Sequence, residues 1–368
     1  MLFVFALSAI FVRSQEIPGE KPVQTIDEEI TAFAFAPDGR IVYSVRHLFK
    51  TKQYDLQRDD IWLAGNDGKR RRLLLGEKFI RGSAPFSYAV DSFRWSPNGR
   101  LILAQLFTTS VVDDSGKTED LPMTLLLDDS GKEIRLGGRD STIADSSNAW
   151  WLADNATIVS FKEVLKPRAL FSLRYFTLAS GPAGPAFEGR TFLDADEIPH
   201  TNAAIAVERD PELKGPPRLQ RLDLLAQEDK ELATLGAYAG GMQVSPGGAM
   251  AAYYLDREVL EVRDIKSPDH AVRLRVGFGA FQWTPDEKRI VLKRTPEKKS
   301  GDLVWIEVPP LASFAKTTGS EPIPVQEPAL RSLLFGLTFR DFAISPDGRL
   351  LAVIQPGKRS LLVFPMPR

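Results

Sequence analysis

The stretch Phe33-Ala34-Phe35-Ala36-Pro37-Asp38-Gly39-Arg40-Ile41-Val42-Tyr43 returns twice in close copy. It comes back as Phe93-Arg94-Trp95-Ser96-Pro97-Asn98-Gly99-Arg100-Leu101-Ile102-Leu103 and as Phe342-Ala343-Ile344-Ser345-Pro346-Asp347-Gly348-Arg349-Leu350-Leu351-Ala352. Each copy reads as a hairpin, in which an apolar strand enters a small-Pro-Asp/Asn-Gly turn and a basic residue opens a second apolar strand. Pro presets φ near −65°, Asp or Asn tolerates the next position, and Gly takes the positive φ that follows. Gly39, Gly99 and Gly348 are therefore expected at positive φ.

Weaker copies stand at Met242-Gln243-Val244-Ser245-Pro246-Gly247-Gly248 and at Phe281-Gln282-Trp283-Thr284-Pro285-Asp286-Glu287, where Glu287 replaces the usual Gly. From Pro37 to Pro346 is 309 residues, which divides into six steps of about 51 residues, near the period of propeller blades with modest insertions. The strand runs fill seven units. The first takes residues 31–36, 40–46, 60–64 and 69–75, with an Asn-Asp-Gly turn before the last. The second takes 91–95, 100–107, 123–127 and 132–136. The third takes 148–151, 157–162 and 169–178. The fourth, without the turn signature, takes 190–193, 203–208, 218–224 and 230–235. The fifth continues from Met242 through 251–255, 259–263 and 271–276. The sixth runs from Ala280 through 289–293 and 303–308, and residues 309–321 read as a long outer loop before 323–325. The seventh takes 339–344, 350–354 and 360–364, one strand short.

An unassigned strand at residues 22–26 supplies what the seventh unit lacks, since an open ring would leave unpaired strand edges. The expected fold is therefore all-β: a seven-bladed β-propeller of four-stranded antiparallel blades, its ring closed by an N-terminal strand. No long segment has helical periodicity.

Composition narrows the function. Of 368 residues, 43% are hydrophobic, enough for a large core, and formal net charge is −1 from 47 basic and 48 acidic residues. No global field gathers nucleic acid. Cys is absent, which excludes disulfides, thiolate metal sites and Cys nucleophiles. His47, His200 and His270 are scattered, which argues against zinc. Residues 2–12 form an apolar run of signal-peptide length, too short to span a bilayer as a helix, although no basic residue precedes it. The expected division is a signal peptide at residues 1–14 and one propeller domain at 15–368, with export to the periplasm or beyond and no transmembrane segment.

The repeats resemble the WD-repeat-like propeller units of the TolB type, at 33–43, 93–103 and 342–352 and more weakly at 242–252 and 281–291. The resemblance covers essentially all of the chain after the leader and implies a propeller in the cell envelope. TolB proteins carry an additional α/β domain before the propeller, and no stretch here is long enough to be one. Prolyl-oligopeptidase-type enzymes share the repeat but place their serine in a Gly-x-Ser-x-Gly elbow on a separate domain. The sequence has no such elbow, and His270 is expected in a surface turn.

Local motifs favour structure over chemistry. Asp113-Asp114-Ser115-Gly116 and Asp128-Asp129-Ser130-Gly131 could suit calcium, yet turns select the same residues. Lys69-Arg70-Arg71-Arg72 reads as a solvated blade edge charged against edge-to-edge pairing. Trp150-Trp151 reads as packing between blades rather than a pocket lining. No catalytic, cofactor-binding or metal-ligating residue is assigned, and no cofactor is expected. The sequence supports a non-catalytic exported scaffold that binds a protein or other envelope component through loops on one face. The alternative is a hydrolase- or lyase-type propeller enzyme with its site in the central channel, assembled from several blades so that no local motif marks it.

Overall fold

The signature turns form as their chemistry dictates. Ser96 N–H donates to Leu101 O and Gly99 N–H to Ser96 O, and the same pair of bonds recurs at Ser345 and Gly348. Asp347 Oδ1 accepts from Ser345 Oγ and from Arg349 N–H, tying the turn to its own acidic side chain. Gly39, Gly99 and Gly348 sit at φ of 89°, 69° and 70°. Glu287, the residue without Gly's freedom, is forced to φ 57°.

The computed structural model describes residues 21–50, 55–80, 86–111, 117–165, 170–294, 302–317, 323–324, 331–334, 341–355 and 357–366. Among them there is no α-helix, only two short 3-10 turns at Gly76–Lys78 and Leu311–Ser313. Unit one pairs Ile30–Phe35, Ile41–Val45, Asp60–Ala64 and Arg70–Leu74 in that order. Unit two pairs Phe86–Trp95, Leu101–Val111, Thr118–Asp128 and Thr142–Ala144. Units three and four merge into one eight-stranded sheet through the pair Phe171 and Phe192. Unit five runs from Gly240–Val244 to His270–Arg275, and unit six from Phe281–Trp283 to Arg331–Leu334. In the last sheet Phe342–Ile344, Leu350–Ile354 and Leu361–Pro365 are joined by Gln24–Ile26, with Gln24 opposite Val363 and Ile26 opposite Leu361.

Side chains alternate across each strand, so every sheet buries both faces against its neighbours. Val42 and Ile61 of unit one meet Tyr88 and Ile102 of unit two, whereas Ile41 and Tyr43 turn the other way, to Ile26, Ala352 and Leu361 of the last sheet. Val291 and Trp305 of unit six pack on Phe342 and Leu351. Each fully buried aliphatic or aromatic side chain contributes about 1.5–3 kcal/mol. The first-to-second-strand turns of neighbouring sheets also touch: Arg40 donates to Gly99 O, Asn98 N–H to Asn155 Oδ1, and Gly247 N–H to Glu287 Oε1. These turns therefore share one face of the molecule, and the second-to-third-strand hairpins share the opposite face.

Several strands depart from the sequence reading. The outer strand of unit two is Thr142–Ala144; residues 132–136 make only isolated bridges, at Glu133 and Leu136. Unit three has a fourth strand, Gly181–Ala186, whose Gly-Pro composition reads as loop but is tolerated on an edge. Between the second and third strands of unit one, an extra hairpin pairs Leu48–Lys50 with Asp55–Gln57. Ala315–Lys316 and Ile323–Pro324, expected as an outer loop of unit six and its sequel, instead add to the outer strand of unit five. The apolar run at residues 2–12 lies outside the described residues.

Candidate functional site

One register position carries a polar side chain in the first strands of four units. The residue two before the turn is Arg94 in unit two, Asp196 in unit four, Gln243 in unit five and Gln282 in unit six. Each reaches the next sheet. Arg94 donates to Asn148 Oδ1 of unit three at 3.0 Å, and Asp196 Oδ2 accepts from Val244 N–H at 2.8 Å. Gln243 donates to Phe281 O, while Gln282 donates to Phe342 O and accepts from Ile344 N–H. Asp194, on the same side of its strand as Asp196, accepts from Tyr238 Oη and Met242 N–H. These groups surround a cavity of about 530 Å³, whose walls include Arg94, Asn148, Asp194, Asp196, Gln243 and Gln282.

Burial raises the carboxylate pKa values here. Burial pushes Asp194 and Asp196 up, with Arg94 opposing in both cases. Glu197, next along the strand, is pushed up to about 7 by burial and by Asp196, again against Arg94. Shifted carboxylates of this kind suit acid–base chemistry, yet Asp194 and Asp196 are already spent on holding unit five. A second cleft, of about 780 Å³, opens between units four and five. There Glu261, fully buried, accepts from Tyr253 Oη, Arg263 and Arg273, so its charge is met within the fold. Among the described residues no group of three or more His, Asp or Glu side chains could hold a metal ion.

The hairpin face has another character. Among the described residues, seven of ten exposed large hydrophobic side chains lie on it or on the connections between sheets that share it. Leu48, Ile80, Phe107, Leu121 and Val164 project above units one to three. Leu213 and Phe278 extend the set above units four and five. The extra hairpin of unit one is firmly held. Arg58, 6% exposed, donates through Nε to Phe86 O at 2.7 Å and stacks on Phe49 at 5.0 Å. Beside it Gln57 N–H donates to Ser87 Oγ, and the buried Asp59 accepts from Val90 N–H and Thr31 Oγ1. Leu48 is thus displayed from a hairpin docked on unit two.

The motifs singled out in the sequence fall into structural roles. Asp128 Oδ1 accepts from Ser130 N–H, Ser130 Oγ and Lys132 N–H, which is turn chemistry. Residues 112–116 lie outside the described residues. Trp150 and Trp151 are both buried and point to opposite sides, Trp150 against Phe161 and Trp151 against Leu103 and Leu126. Lys69 to Arg72 are exposed on the edge strand; Arg70 pairs with Glu28, and Arg72 lies over Trp62. His47 lies 3.7 Å from Asp60, and His270 bonds its neighbour Asp269. His270 opens a strand rather than sitting in a turn. The apolar face is what sequence reasoning missed, because exposure there depends on which hairpins outgrow their neighbours.

No family model matches the chain, and no curated protein matches it by sequence. Solved structures do. The chain is similar to the Cps50 (Swd1) β-propeller domain of Myceliophteria thermophila, with a TM-score of 0.59, 11% identity, and 95% of this chain and all of that one covered. It is also similar to a chain of a mitotic checkpoint complex, with a TM-score of 0.57, 12% identity and both chains covered completely. At such identities the likeness defines the fold: an all-β protein of the β-propeller class with WD-repeat-like units. No described helix is long and apolar enough to cross a membrane.

Proposed function

We propose that this chain is an exported, non-catalytic scaffold: a seven-bladed propeller of the TolB-like type, closed by its N-terminal strand, that binds a protein partner of the cell envelope through its hairpin face. The observation that carries the reading is the concentration of exposed apolar side chains on that face, since scattered apolar residues are ordinary and a one-sided set marks an interaction surface. Closure is supported by the pairing of Gln24–Ile26 with Leu361–Pro365 and by the packing of that sheet on unit one. The docked hairpin of unit one adds to the case, because a preorganised apolar tip binds at lower entropic cost. Export rests on the apolar run at residues 2–12. Engagement of Asp194 and Asp196 in bonds from Tyr238, Met242 and Val244 supports a non-catalytic role.

Photo-cross-linkable residues test the face in cells. Probes at Leu48 and Phe278 should capture a discrete partner, whereas probes at Leu225 and Leu311 on the turn face should not. Capture only from the turn face would overturn the reading. Turnover of a lactone, peptide or glycan that is lost in Glu197→Gln would favour the enzyme instead.

A further inference from the structure

Unit two rises beyond its own outer strand. Its third strand pairs with the second along the whole length, from Thr118 opposite Val111 to Asp128 opposite Leu101. The outer strand Thr142–Ala144 covers only Met123 to Leu125. Above that, among the described residues, no strand lies beside the third strand at residues 118–121. Peptide groups alternate in direction along a strand. Leu126 N–H donates outward to Ser141 O, and Pro122 O accepts from Ser146 N–H, so the even-numbered residues face the outer side. The backbone N–H and C=O of Thr118 and Asp120 therefore have no strand beside them among the described residues. The opposite edge of the same extension is occupied, by Arg58 bridging to Tyr88.

What decorates this open edge is specific. Asp120, Pro122 and Phe107 share one side of the sheet, and Glu119 and Leu121 share the other. Phe107 is 55% and Leu121 37% exposed. A strand laid along the edge would meet a carboxylate on both sides opposite residues 119–120 and Leu121 beyond them, and past the end of the open edge it would reach the apolar side chains of Pro122 and Phe107. Two copies of this chain are poorly matched to each other there, because antiparallel pairing centred on the edge sets Asp120 against Asp120. The molecule already uses strand addition elsewhere, where Ala315–Lys316 and Ile323–Pro324 join the outer strand of unit five.

We infer that residues 118–121 are a strand-addition site for an extended segment of the partner protein in which two consecutive basic residues adjoin two apolar ones, the outer apolar residue packing on the side chains of Pro122 and Phe107 without backbone bonds. The inference rests on the reading that the hairpin face binds a protein. In antiparallel pairing the segment runs apolar-apolar-basic-basic from its N-terminus.

The full chain is titrated with a fluorescein-labelled peptide of sequence Thr-Ile-Val-Lys-Lys-Thr, read by anisotropy and by amide hydrogen exchange. Saturable binding is expected, with exchange at Thr118 and Asp120 slowed about tenfold or more, and with affinity falling about tenfold in the double variant Glu119→Lys/Asp120→Lys. A Glu-Glu counterpart should not bind, nor should a peptide whose two central amides are N-methylated. Equal binding of the acidic peptide, absence of saturation at millimolar peptide, or unchanged exchange at the edge would each overturn the site. Slow exchange at Thr118 and Asp120 without peptide, together with a concentration-dependent doubling of mass, would assign the edge to a second copy instead. Cross-links from Leu48 and Phe278 without peptide binding would sink the strand-addition site and leave the face reading intact.

Discussion

Arg94 lies 3.7 Å from Asp196 although a whole unit separates their strands, and it bonds Asn148 of that intervening unit on the way. One guanidinium thus ties units two, three and four at the cavity wall. Both side chains keep some solvent contact, about 35% for Arg94 and 17% for Asp196, so screening limits the ion pair to modest worth. Arg94→Leu is expected to cost about 1–2 kcal/mol, most of it from the lost charge-assisted bond to Asn148. A double-mutant cycle with Asp196→Asn should return a coupling of about 0.5–1 kcal/mol in urea unfolding. Zero coupling would mean that the two groups do not sense each other.

Glu197 sets the sign of a pH dependence. Its folded pKa, about 7, stands above the ordinary glutamate value, so between the two the folded state holds more protons than the unfolded one. Its contribution is complete below the unfolded pKa and is lost as pH rises through about 7; Asp194 and Asp196, also raised by burial, act in the same direction. Glu197→Gln should therefore be more stable than the parent at pH 8, by roughly 1–3 kcal/mol, with little difference near pH 4. Thermal melts across this range decide it, and a variant that loses stability equally at both pH values would refute the shift.

The legible part of the fold is the part specified by local chemistry. Pro37, Asp38 and Gly39 dictate one turn wherever they occur, and the turns carried the repeat, its period and the strands on either side. The pairing of Gln24–Ile26 was legible because a missing strand and a spare one point to each other. Long-range pairing was not: nothing within Ile323-Pro324 says that it joins unit five, and Gly181–Ala186 is a strand only because Leu170–Thr177 offers it an edge. The cavity had a signal that could have been read. Arg94, Asp196, Gln243 and Gln282 stand at the same offset from the turn, a polar choice made in four units while Ala34, Trp150 and Ala343 fill that offset in the others. The exposed face had none, since Phe107 and Leu121 look like ordinary strand residues until the outer strand stops short beneath them.

Deleting residues 21–28 should expose the edge of Leu361–Pro365 and strip Ile26, 1% exposed, from its packing on Ile41 and Tyr43. The loss of that side chain alone is worth about 2–5 kcal/mol, and the bared edge invites aggregation. The deletion should melt at a markedly lower temperature and scatter light on standing. A deletion with the parent's melting curve would show that the last sheet stands without its fourth strand.

Two glycines with the same φ should respond very differently to alanine. Gly39 (φ 89°) and Gly131 (φ 90°) both occupy backbone conformations that L side chains resist, which alone costs about 1–2 kcal/mol. A Cβ on Gly39 would meet only the side chain of Asn66, at 3.3 Å, and that side chain can give way. A Cβ on Gly131 would come within 2.4 Å of Leu73 O, a backbone atom of unit one's edge strand, and neither chain can yield without breaking the contact between the two units. Gly39→Ala should then lose about 1 kcal/mol and Gly131→Ala about 3 kcal/mol or more. Glu287 provides the reverse test at φ 57°. Glu287→Gly releases the strain but loses the bond from Gly247 N–H, so it should come out near neutral, while Glu287→Ala keeps the strain, loses the bond and should fall by about 1 kcal/mol. Chemical denaturation of the four variants ranks them, and equal losses at Gly39 and Gly131 would rule out the close approach to Leu73 as the cause.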